Sequence, residues 1–141
     1  MSSTVSAVPA AASPKALAHF ESLFEFETDC YDVHEALSSG QADFVLLDVR
    51  SPAAYEKGHV RGAINLPHGK IIESKLSQFD PDTLFVTYCA GPHCNGAFRG
   101  AIRLAKLGRP VKVMLGGATG WIDDGYSLEP GAGAGNPLPK S

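Results

Sequence analysis

Two apolar runs dominate the hydrophobic pattern of the chain, at residues 44–49 and 84–88. Neither run alternates apolar and polar positions, which is typical of strands that are buried on both faces of a sheet. Two weaker runs, at residues 63–66 and 111–115, predict two more strands, and Pro67 ends the first of these. The pattern therefore indicates four short strands, two of them deeply buried.

Helical segments separate these strands. Ser51 and Pro52 supply an N-cap and a first helical residue, and Gly58 ends that helix. Ser13 and Pro14 form a second such pair near the start of the chain. The remaining predicted helices cover residues 15–24, 32–37, 71–79 and 118–124. Strands that alternate with helices are typical of an α/β fold with a parallel sheet.

An amphipathic helix is predicted after residue 96. Arg99, Arg103 and Lys106 occupy its polar face, and Gly108 closes it. Its apolar face carries Phe98, Ala101, Ile102, Leu104 and Ala105.

Both ends of the chain differ in composition from the middle. Residues 1–13 are rich in Ser, Ala and Pro, and residues 130–141 are rich in Gly and Pro. Such segments bury too little apolar surface to offset their conformational entropy. We therefore expect a disordered arm at 1–13, one domain at 14–129 and a flexible tail at 130–141.

Composition narrows the functional classes. The chain has 141 residues, of which 44% are apolar and 19% charged, and its net charge is −3. A mildly acidic chain is not expected to bind nucleic acid, which requires a basic surface. No apolar run reaches the roughly 20 residues that span a bilayer, so no membrane association is expected. The first residues lack the features of a signal peptide, and we expect a cytoplasmic location.

The chain has three cysteines, Cys30, Cys89 and Cys94. An odd number without a CxxC pair suits neither a disulfide scaffold nor a structural zinc site. The histidines show no spacing that converges on a metal ion. We therefore expect no metal and no other cofactor, and a reducing compartment with one reactive thiol.

Asp48 and Cys89 each stand at the carboxyl end of a buried strand, where parallel α/β sheets bind their ligands. A tight loop follows Cys89 and leads into a helix. Its peptide N–H groups and the positive end of that helix favour a thiolate over a thiol. Ala90 and Gly91 are small enough for the backbone to approach a bound anion closely. This placement predicts a nucleophilic Cys89, against the alternative of a buried cysteine beside an ordinary loop.

Three motifs within residues 28–126 resemble the rhodanese family of sulfurtransferases. The first is DVR at residues 48–50, followed by GHVRGAINLP at residues 58–67. It is similar to the family's Gly-His-(Ile/Val)-x-Gly-Ala-x-Asn-(Ile/Leu)-Pro signature. The second is Tyr88-Cys89 with its loop, and the third is GGATGW at residues 116–121. The order and spacing of the motifs identify the chain as a rhodanese-like domain.

The resemblance implies a sheet of five mostly parallel strands with helices on both faces. It implies that Cys89 takes sulfane sulfur from a donor, such as thiosulfate or a persulfide, and passes it to a thiophilic acceptor. The expected partners are a small sulfur donor and acceptor, or a protein thiol. The loop implied to bind the substrate and the persulfide consists of Ala90, Gly91, Pro92, His93, Cys94 and Asn95.

One position departs from the family pattern. Many single-domain rhodaneses carry an arginine five residues after the cysteine, and this chain has Cys94 there. His93 is the only nearby substitute for the missing cation, so sulfite would leave less readily and thiosulfate is a doubtful donor. Two interpretations of Cys94 remain open. It could resolve the persulfide or form a disulfide with Cys89, or it could simply pack the loop.

The resemblance also suggests supporting roles for Asp48, Arg50 and His59. Asp48 and Arg50 are expected either to form a solvated charge pair or to border the site and brace the loop. His59 is expected to fix a turn through hydrogen bonds rather than to transfer protons. Trp121 is expected to anchor the core, and Cys30 to be a small buried hydrophobe.

Two other functional classes are alternatives to a sulfurtransferase. Phosphatases and arsenate reductases of this fold carry an arginine six residues after the cysteine, which clamps the oxyanion. Asn95 occupies that position and the first arginine beyond it is Arg99, so this class is disfavoured. A non-catalytic module that binds or senses sulfide or redox state is the second alternative, although inactive relatives usually lose the cysteine that this chain keeps.

Overall fold

A computed structural model of the chain describes residues 2–132. Five strands form one sheet in the order β1-β5-β4-β2-β3, and every neighbouring pair is parallel. The strands are β1 (Glu27–Thr28), β2 (Val45–Asp48), β3 (Ile64–Asn65), β4 (Phe85–Tyr88) and β5 (Val111–Met114). The predicted α/β class and five-stranded sheet are confirmed. The strand segments identified from hydrophobic pattern did not include β1, because two half-buried residues at a sheet edge carry no periodic signal.

Helices connect these strands. They are α1 (Ser13–Leu23), α2 (Cys30–Ser38), α3 (Pro52–Lys57), α4 (Glu73–Leu76), α5 (Gly96–Lys106) and α6 (Gly117–Asp123), with a short 3-10 helix at His68–Lys70. As predicted, Ser51 caps α3, since its side-chain oxygen accepts a hydrogen bond from the Ala54 N–H at 3.2 Å. Ser13, by contrast, is the first residue of α1 and not its cap. Ala12 occupies the cap position and has no side chain that could accept a hydrogen bond.

The sheet separates two hydrophobic cores, because neighbouring residues of a strand point to opposite faces. Leu46 and Val86 belong to one core, together with residues of α2 and α6. Leu47 and Phe85 belong to the other, together with residues of α4 and α5. Helices therefore cover both faces of the sheet, as expected.

The segment at residues 71–79 is shorter in helix than predicted, since only α4 is helical. Lys75 and Phe79 donate their N–H groups to the carbonyls three residues back, Ile72 and Leu76, in tight turns. Ile71 and Leu76 are both buried in the same core. Residues five positions apart lie about 140° apart around an α-helix, so one regular helix could not bury both.

The apolar face predicted for α5 is also wrong in part. Phe98 and Ile102 are 47% and 54% exposed, although Leu104 is fully buried. A Cβ atom on Gly100 would lie 3.1 Å from Cγ1 of Val49, so the missing side chain lets this face of α5 approach the sheet closely. The buried residues of α5 are Gly96, Ala97, Gly100 and Leu104. Predicting the buried face of a helix from its large apolar residues fails when the helix packs through glycine and alanine.

The ends of the described part contribute little to either core. Residues 2–12 are exposed and form no helix or strand, and α1 has no fully buried residue. Most of the tail expected at 130–141 lies outside the described residues. No helix within residues 2–132 combines the length and the hydropathy needed to cross a membrane.

Candidate functional site

Cys89 lies directly after β4, the middle strand of the sheet, and its side chain is 6% exposed. Its carbonyl accepts a hydrogen bond from the Ala118 N–H at 2.9 Å, which ties the end of β4 to the start of α6. The side chain belongs to the core on the α4 and α5 face. The cysteine is thus held at the carboxyl edge of the sheet, where the strand pattern predicts a ligand site.

The loop that follows Cys89 is fastened to α6. The Ala90 carbonyl accepts hydrogen bonds from both the N–H and the hydroxyl of Thr119, each at 2.9 Å. Within the loop, the Cys94 N–H donates to the Gly91 carbonyl at 3.1 Å. These bonds hold the loop in one compact turn between β4 and α5.

Gly117 makes this close approach possible. Its φ of +61° lies in the left-handed region, and a Cβ atom there would lie 2.5 Å from the Cys89 carbonyl oxygen and 2.8 Å from the Gly91 nitrogen. A Cβ atom on Gly91 would in turn lie 2.8 Å from Oγ1 of Thr119. The sequence analysis named Gly117 and Thr119 only as members of the GGATGW motif and gave neither a separate role. The GGATGW motif marked these residues as part of the family pattern, but the sequence did not show that they contact the cysteine loop.

Gly96, the first residue of α5, forms the wall behind the two loop sulfurs. A Cβ atom at this position would lie 2.7 Å from Cys89 Sγ and 3.4 Å from Cys94 Sγ. The Gly96 N–H donates a weak hydrogen bond to Cys94 Sγ at 3.5 Å. The amino end of α5 therefore faces sulfur directly, and Gly96 is a site residue that the sequence analysis did not identify.

Cys89 and Cys94 are paired in the structure as a disulfide. Their Cα atoms are 6.4 Å apart, five residues apart in sequence. This arrangement favours the interpretation that Cys94 acts chemically with Cys89 over the interpretation that it only packs the loop. A nucleophilic Cys89 requires the reduced form of this pair.

A cavity of about 280 Å³ opens beside the two sulfurs. Its lining includes Cys89, Gly91, Pro92 and Cys94 from the loop, Ala97 and Phe98 from α5, and residues 113–117. None of these lining residues carries a charged side chain. Of the other loop residues, Ala90, His93 and Asn95 are exposed and do not line the cavity. His93 is therefore not placed to substitute for the missing arginine.

Buried Asp48 and partly buried Arg50 form an ion pair on the other side of the sheet. Nη2 of Arg50 lies 2.7 Å from Oδ2 of Asp48 and also donates to the Gly58 carbonyl at 2.6 Å. Burial lowers the pKa of Arg50, but the hydrogen bond and charge of Asp48 outweigh it and raise that pKa on balance. The pair is largely shielded from solvent, and neither residue lines the cavity beside Cys89.

Tyr88 links this ion pair to the cysteine. Its hydroxyl donates to Oδ2 of Asp48 at 2.7 Å and accepts from the Val60 N–H at 3.0 Å. Burial and the Asp48 carboxylate both raise the pKa of the Tyr88 hydroxyl, which stays protonated. Since Tyr88 immediately precedes Cys89, the buried network holds the end of β4 from behind.

His59 belongs to the same region and does not approach the loop. Its Nδ1 lies 2.8 Å from the Tyr55 carbonyl, and its ring stacks on the Tyr55 ring at 3.7 Å between centroids. Its backbone pairs with Glu129 in an isolated antiparallel bridge. These contacts hold the backbone around His59 to Tyr55 and Glu129, and its supporting role in the site stays a prediction.

Two further buried residues complete the surroundings. The Thr87 hydroxyl donates to the Ala97 carbonyl at 2.9 Å and so joins β4 to the first turn of α5, a contact that no sequence motif suggested. Cys30 is 3% exposed and Trp121 is also buried, as expected for core residues. Burial, helped by Asp124 and Asp29, raises the pKa of the Cys30 thiol to about 11, which leaves it unreactive. No cluster of three or more metal-ligand side chains occurs within residues 2–132.

The fold and site described above are those of an α/β protein with a cysteine loop at the carboxyl end of its central strand, and comparison with known proteins gives its family. The family model of the Rhodanese-like domain matches residues 29–124. The chain therefore belongs to the rhodanese-like domain family.

The chain is similar to a solved structure and to a curated protein at more than 30% identity. The BH2092 protein from Bacillus halodurans shares 32% identity at a TM-score of 0.82, over 92% of this chain and 95% of that one. The HTH-type transcriptional regulator Rv0324 of Mycobacterium tuberculosis is 35% identical over 95 residues, which is 67% of this chain and 41% of the regulator. The chain thus spans less than half the length of that relative.

A third similar protein is the thiosulfate sulfurtransferase from Pseudomonas aeruginosa. It shares 23% identity at a TM-score of 0.69, over 90% of this chain and 23% of that one. At this identity the likeness shows a common fold alone.

Proposed function

We propose that the chain is a sulfurtransferase in which Cys89 carries sulfane sulfur as a persulfide. The observation that carries the proposal is the position of the Cys89 sulfur. It lies at the carboxyl end of the central strand, between an uncharged cavity and the amino end of α5. That position combines access for a small donor with stabilisation of negative charge on sulfur.

Two transfers make up the proposed reaction. The Cys89 thiolate attacks the outer sulfur of a donor, the donor's inner sulfur leaves, and a persulfide remains on Cys89. An acceptor thiolate or another thiophile then attacks the outer sulfur of that persulfide, and the Cys89 thiolate leaves. Each step exchanges one sulfur bond for another, so one difficult transfer is divided into two easier ones.

Peptide N–H groups of the loop support the persulfide intermediate. Within the described residues, the N–H groups of Ala90, Gly91, His93 and Asn95 donate no hydrogen bond to another residue. The Cys94 N–H already donates to the Gly91 carbonyl, and the Gly96 N–H already donates to Cys94 Sγ. Pro92 has no N–H group to contribute. The free groups are suited to stabilise a persulfide anion, which would be the role of the loop.

The uncharged cavity favours a persulfide donor over thiosulfate. Thiosulfate is a dianion and releases sulfite, and the lining of the cavity provides no cationic side chain to stabilise either. The reacting group of a low-molecular-weight persulfide carries at most one negative charge, and the group that it releases is a thiolate. The acceptor is a small thiol or a protein thiol, and such a thiol cycle is suited to a reducing compartment such as the cytoplasm.

Intact mass after loading tests the proposal. The Cys94→Ser chain, which lacks the second loop thiol, is reduced, desalted and exposed to glutathione persulfide, and we expect a gain of one sulfur that a reductant removes. Adding Cys89→Ser to this chain should abolish the gain, whereas adding Cys30→Ala, which removes the buried thiol away from the loop, should keep it. A gain that survives in Cys89→Ser would contradict the assignment of the nucleophile.

A sulfide-sensing or redox-sensing module is the second candidate function. The observation that favours it is the similarity to a protein named as a transcriptional regulator, together with a paired Cys89 and Cys94. Turnover distinguishes the two functions. An enzyme transfers many sulfurs per chain to excess acceptor thiol, whereas a sensor reacts once and then stops.

Phosphate or arsenate chemistry remains the least supported function. It needs a cationic clamp around an oxyanion, and the cavity lining supplies none. Arg99, the first arginine after the cysteine, instead donates its Nε to Oδ1 of Asn95 at 3.1 Å. We expect no hydrolysis of an aryl phosphate above that of Cys89→Ser.

A further inference from the structure

We infer that Cys94 resolves the Cys89 persulfide, so that the loop releases hydrogen sulfide through an intramolecular disulfide. This activity rests on the proposed sulfur transfer and adds an outcome to it. Sulfur that enters on Cys89 leaves either to an external acceptor or, through Cys94, as sulfide.

The positions of the two cysteines carry the inference. Their Cα atoms are 6.4 Å apart, within the range of about 4.4–6.8 Å that a disulfide can bridge without displacing the backbone. The turn from Gly91 to Cys94, closed by the hydrogen bond between the Cys94 N–H and the Gly91 carbonyl, sets this separation. Cys94 Sγ contacts Cys89 Sγ, which is the inner sulfur of a Cys89 persulfide.

The surroundings favour attack by Cys94 over attack from outside. Both cysteines line the same cavity, and a thiol held in the loop acts at a far higher effective concentration than one in solution. Cys89 is almost fully buried, whereas Cys94 is partly exposed. Gly96 has no side chain between the sulfurs and the start of α5, and its N–H is directed at Cys94 Sγ.

The reaction balances without an added oxidant. The Cys94 thiolate attacks the inner sulfur of the Cys89 persulfide, the bond between the two persulfide sulfurs breaks, and hydrosulfide leaves with the electron pair of that bond. The persulfide is reduced to sulfide while the two cysteines are oxidised to a disulfide. Two equivalents of a low-molecular-weight thiol then reduce the disulfide and are oxidised to their own disulfide, which restores both loop thiols.

Single-turnover loading without oxygen tests this activity. The reduced chain, in excess over glutathione persulfide, is analysed for free sulfide and by intact mass and peptide mapping. We expect the wild-type chain to release sulfide and to lose two hydrogens through a Cys89–Cys94 disulfide in equal amounts. Cys94→Ser should instead retain one sulfur on Cys89 and release sulfide at least about tenfold more slowly.

Two controls separate the outcomes. Cys30→Ala should behave as the wild type, and the wild type without donor should form no disulfide. A wild-type persulfide that persists as long as that of Cys94→Ser would overturn the inference while leaving sulfur transfer intact. Failure of Cys94→Ser to take up any sulfur on Cys89 would instead contradict the proposed function itself.

Discussion

At the scale of single residues, we propose that Cys94 limits which donors the loop can use. Replacing it by arginine adds a cation to the uncharged lining of the cavity. We expect Cys94→Arg to raise the rate of sulfur transfer from thiosulfate to cyanide by about tenfold or more, since a placed cation stabilises the leaving sulfite. The measurement is thiocyanate formation at subsaturating thiosulfate.

Cys94→Ser serves as the matched control for this variant, because it removes the same thiol without adding charge. Equal rates for the arginine and serine variants would contradict the argument that a missing cation disfavours thiosulfate. The same pair also separates loss of the second thiol from gain of the cation.

Gly96 is the residue whose size limits the room for sulfur. We expect Gly96→Ala to reduce persulfide loading of Cys89 by about tenfold or more, since its Cβ would lie 2.7 Å from Cys89 Sγ. Alanine favours helix over glycine, so a loss of loading would not reflect a weaker α5. Loading is measured by intact mass in Cys94→Ser chains that carry each variant, and Gly69→Ala, where a Cβ meets open space, is the control.

Cys30 contributes a pH dependence to stability. Burial and the nearby Asp124 and Asp29 raise the pKa of its thiol from 9.0 to about 11 in the folded chain. Below pH 9 the thiol is protonated in both the folded and the unfolded chain, and the folded chain keeps its full stability. As the pH rises from 9 through 11, the thiol ionises more readily in the unfolded chain, so the free energy of unfolding falls. We expect the contribution to be roughly 2–3 kcal/mol.

Urea unfolding between about pH 8 and pH 11 measures this effect. The free energy of unfolding should fall more steeply with pH in the wild type than in Cys30→Ala, which lacks the titrating thiol. Parallel slopes for the two proteins would show that Cys30 does not couple folding to pH.

At the scale of elements, α6 and the cysteine loop form one unit. The amino end of α6 bonds to the carbonyls of Cys89 and Ala90, and Gly117 allows the contact. This explains how the third motif, about thirty positions downstream, belongs to the same site as the cysteine. On the other face, the pair of Asp48 and Arg50 supports β4 through Tyr88, which joins the first motif to the second.

Gly117→Ala tests the junction between α6 and the loop. We expect it to lower the free energy of unfolding by more than about 1 kcal/mol, since a left-handed φ and a Cβ 2.5 Å from the Cys89 carbonyl both disfavour alanine. Gly120→Ala, where the added atom meets only Cys30 Sγ at 3.5 Å, is the control in the same helix. Similar urea midpoints for both variants would contradict this account.

At the scale of the whole molecule, the order of the strands in the sheet determines where the cysteine loop lies. β4 lies between β5 and β2, so the loop after β4 opens at the middle of the carboxyl edge, with the connection from β5 to α6 beside it. Both hydrophobic cores flank this strand. The site therefore rests on the most buried part of the fold.

The segment before α1 lies outside this arrangement. Removal of residues 1–11 should change the free energy of unfolding by less than about 0.5 kcal/mol, because residues 2–12 are exposed. Persulfide loading of Cys89 should be unchanged. Urea unfolding and intact mass of the shortened chain check both expectations, and a large loss of either would mean that this segment packs on the domain.

The sequence by itself determined the class of fold and the position of the candidate nucleophile. Apolar runs long enough to be buried on both faces identified the two central strands, and their ends marked Asp48 and Cys89, because these signals depend only on local composition. The edge strand β1 was not predicted, and the helix predicted at residues 71–79 is shorter in the structure, where only α4 is helical. Hydrogen bonding to β5 defines the first, and the burial of Ile71 and Leu76 shapes the second.

Only the tertiary structure decided which residues meet around the sulfur. Gly96, Gly117 and Thr119 are ordinary turn and helix residues in sequence. Their role comes from close approaches to the cysteine loop, which for Gly117 and Thr119 bridge nearly thirty positions of the chain. The alternation of strand residues between the two faces of the sheet separates Asp48 and Arg50 from the cavity, although both lie near a strand end. The local hydrophobic pattern predicts which segments are buried and where strands end. The contact between a glycine and a cysteine sulfur depends on how the whole backbone folds, so only the tertiary structure shows it.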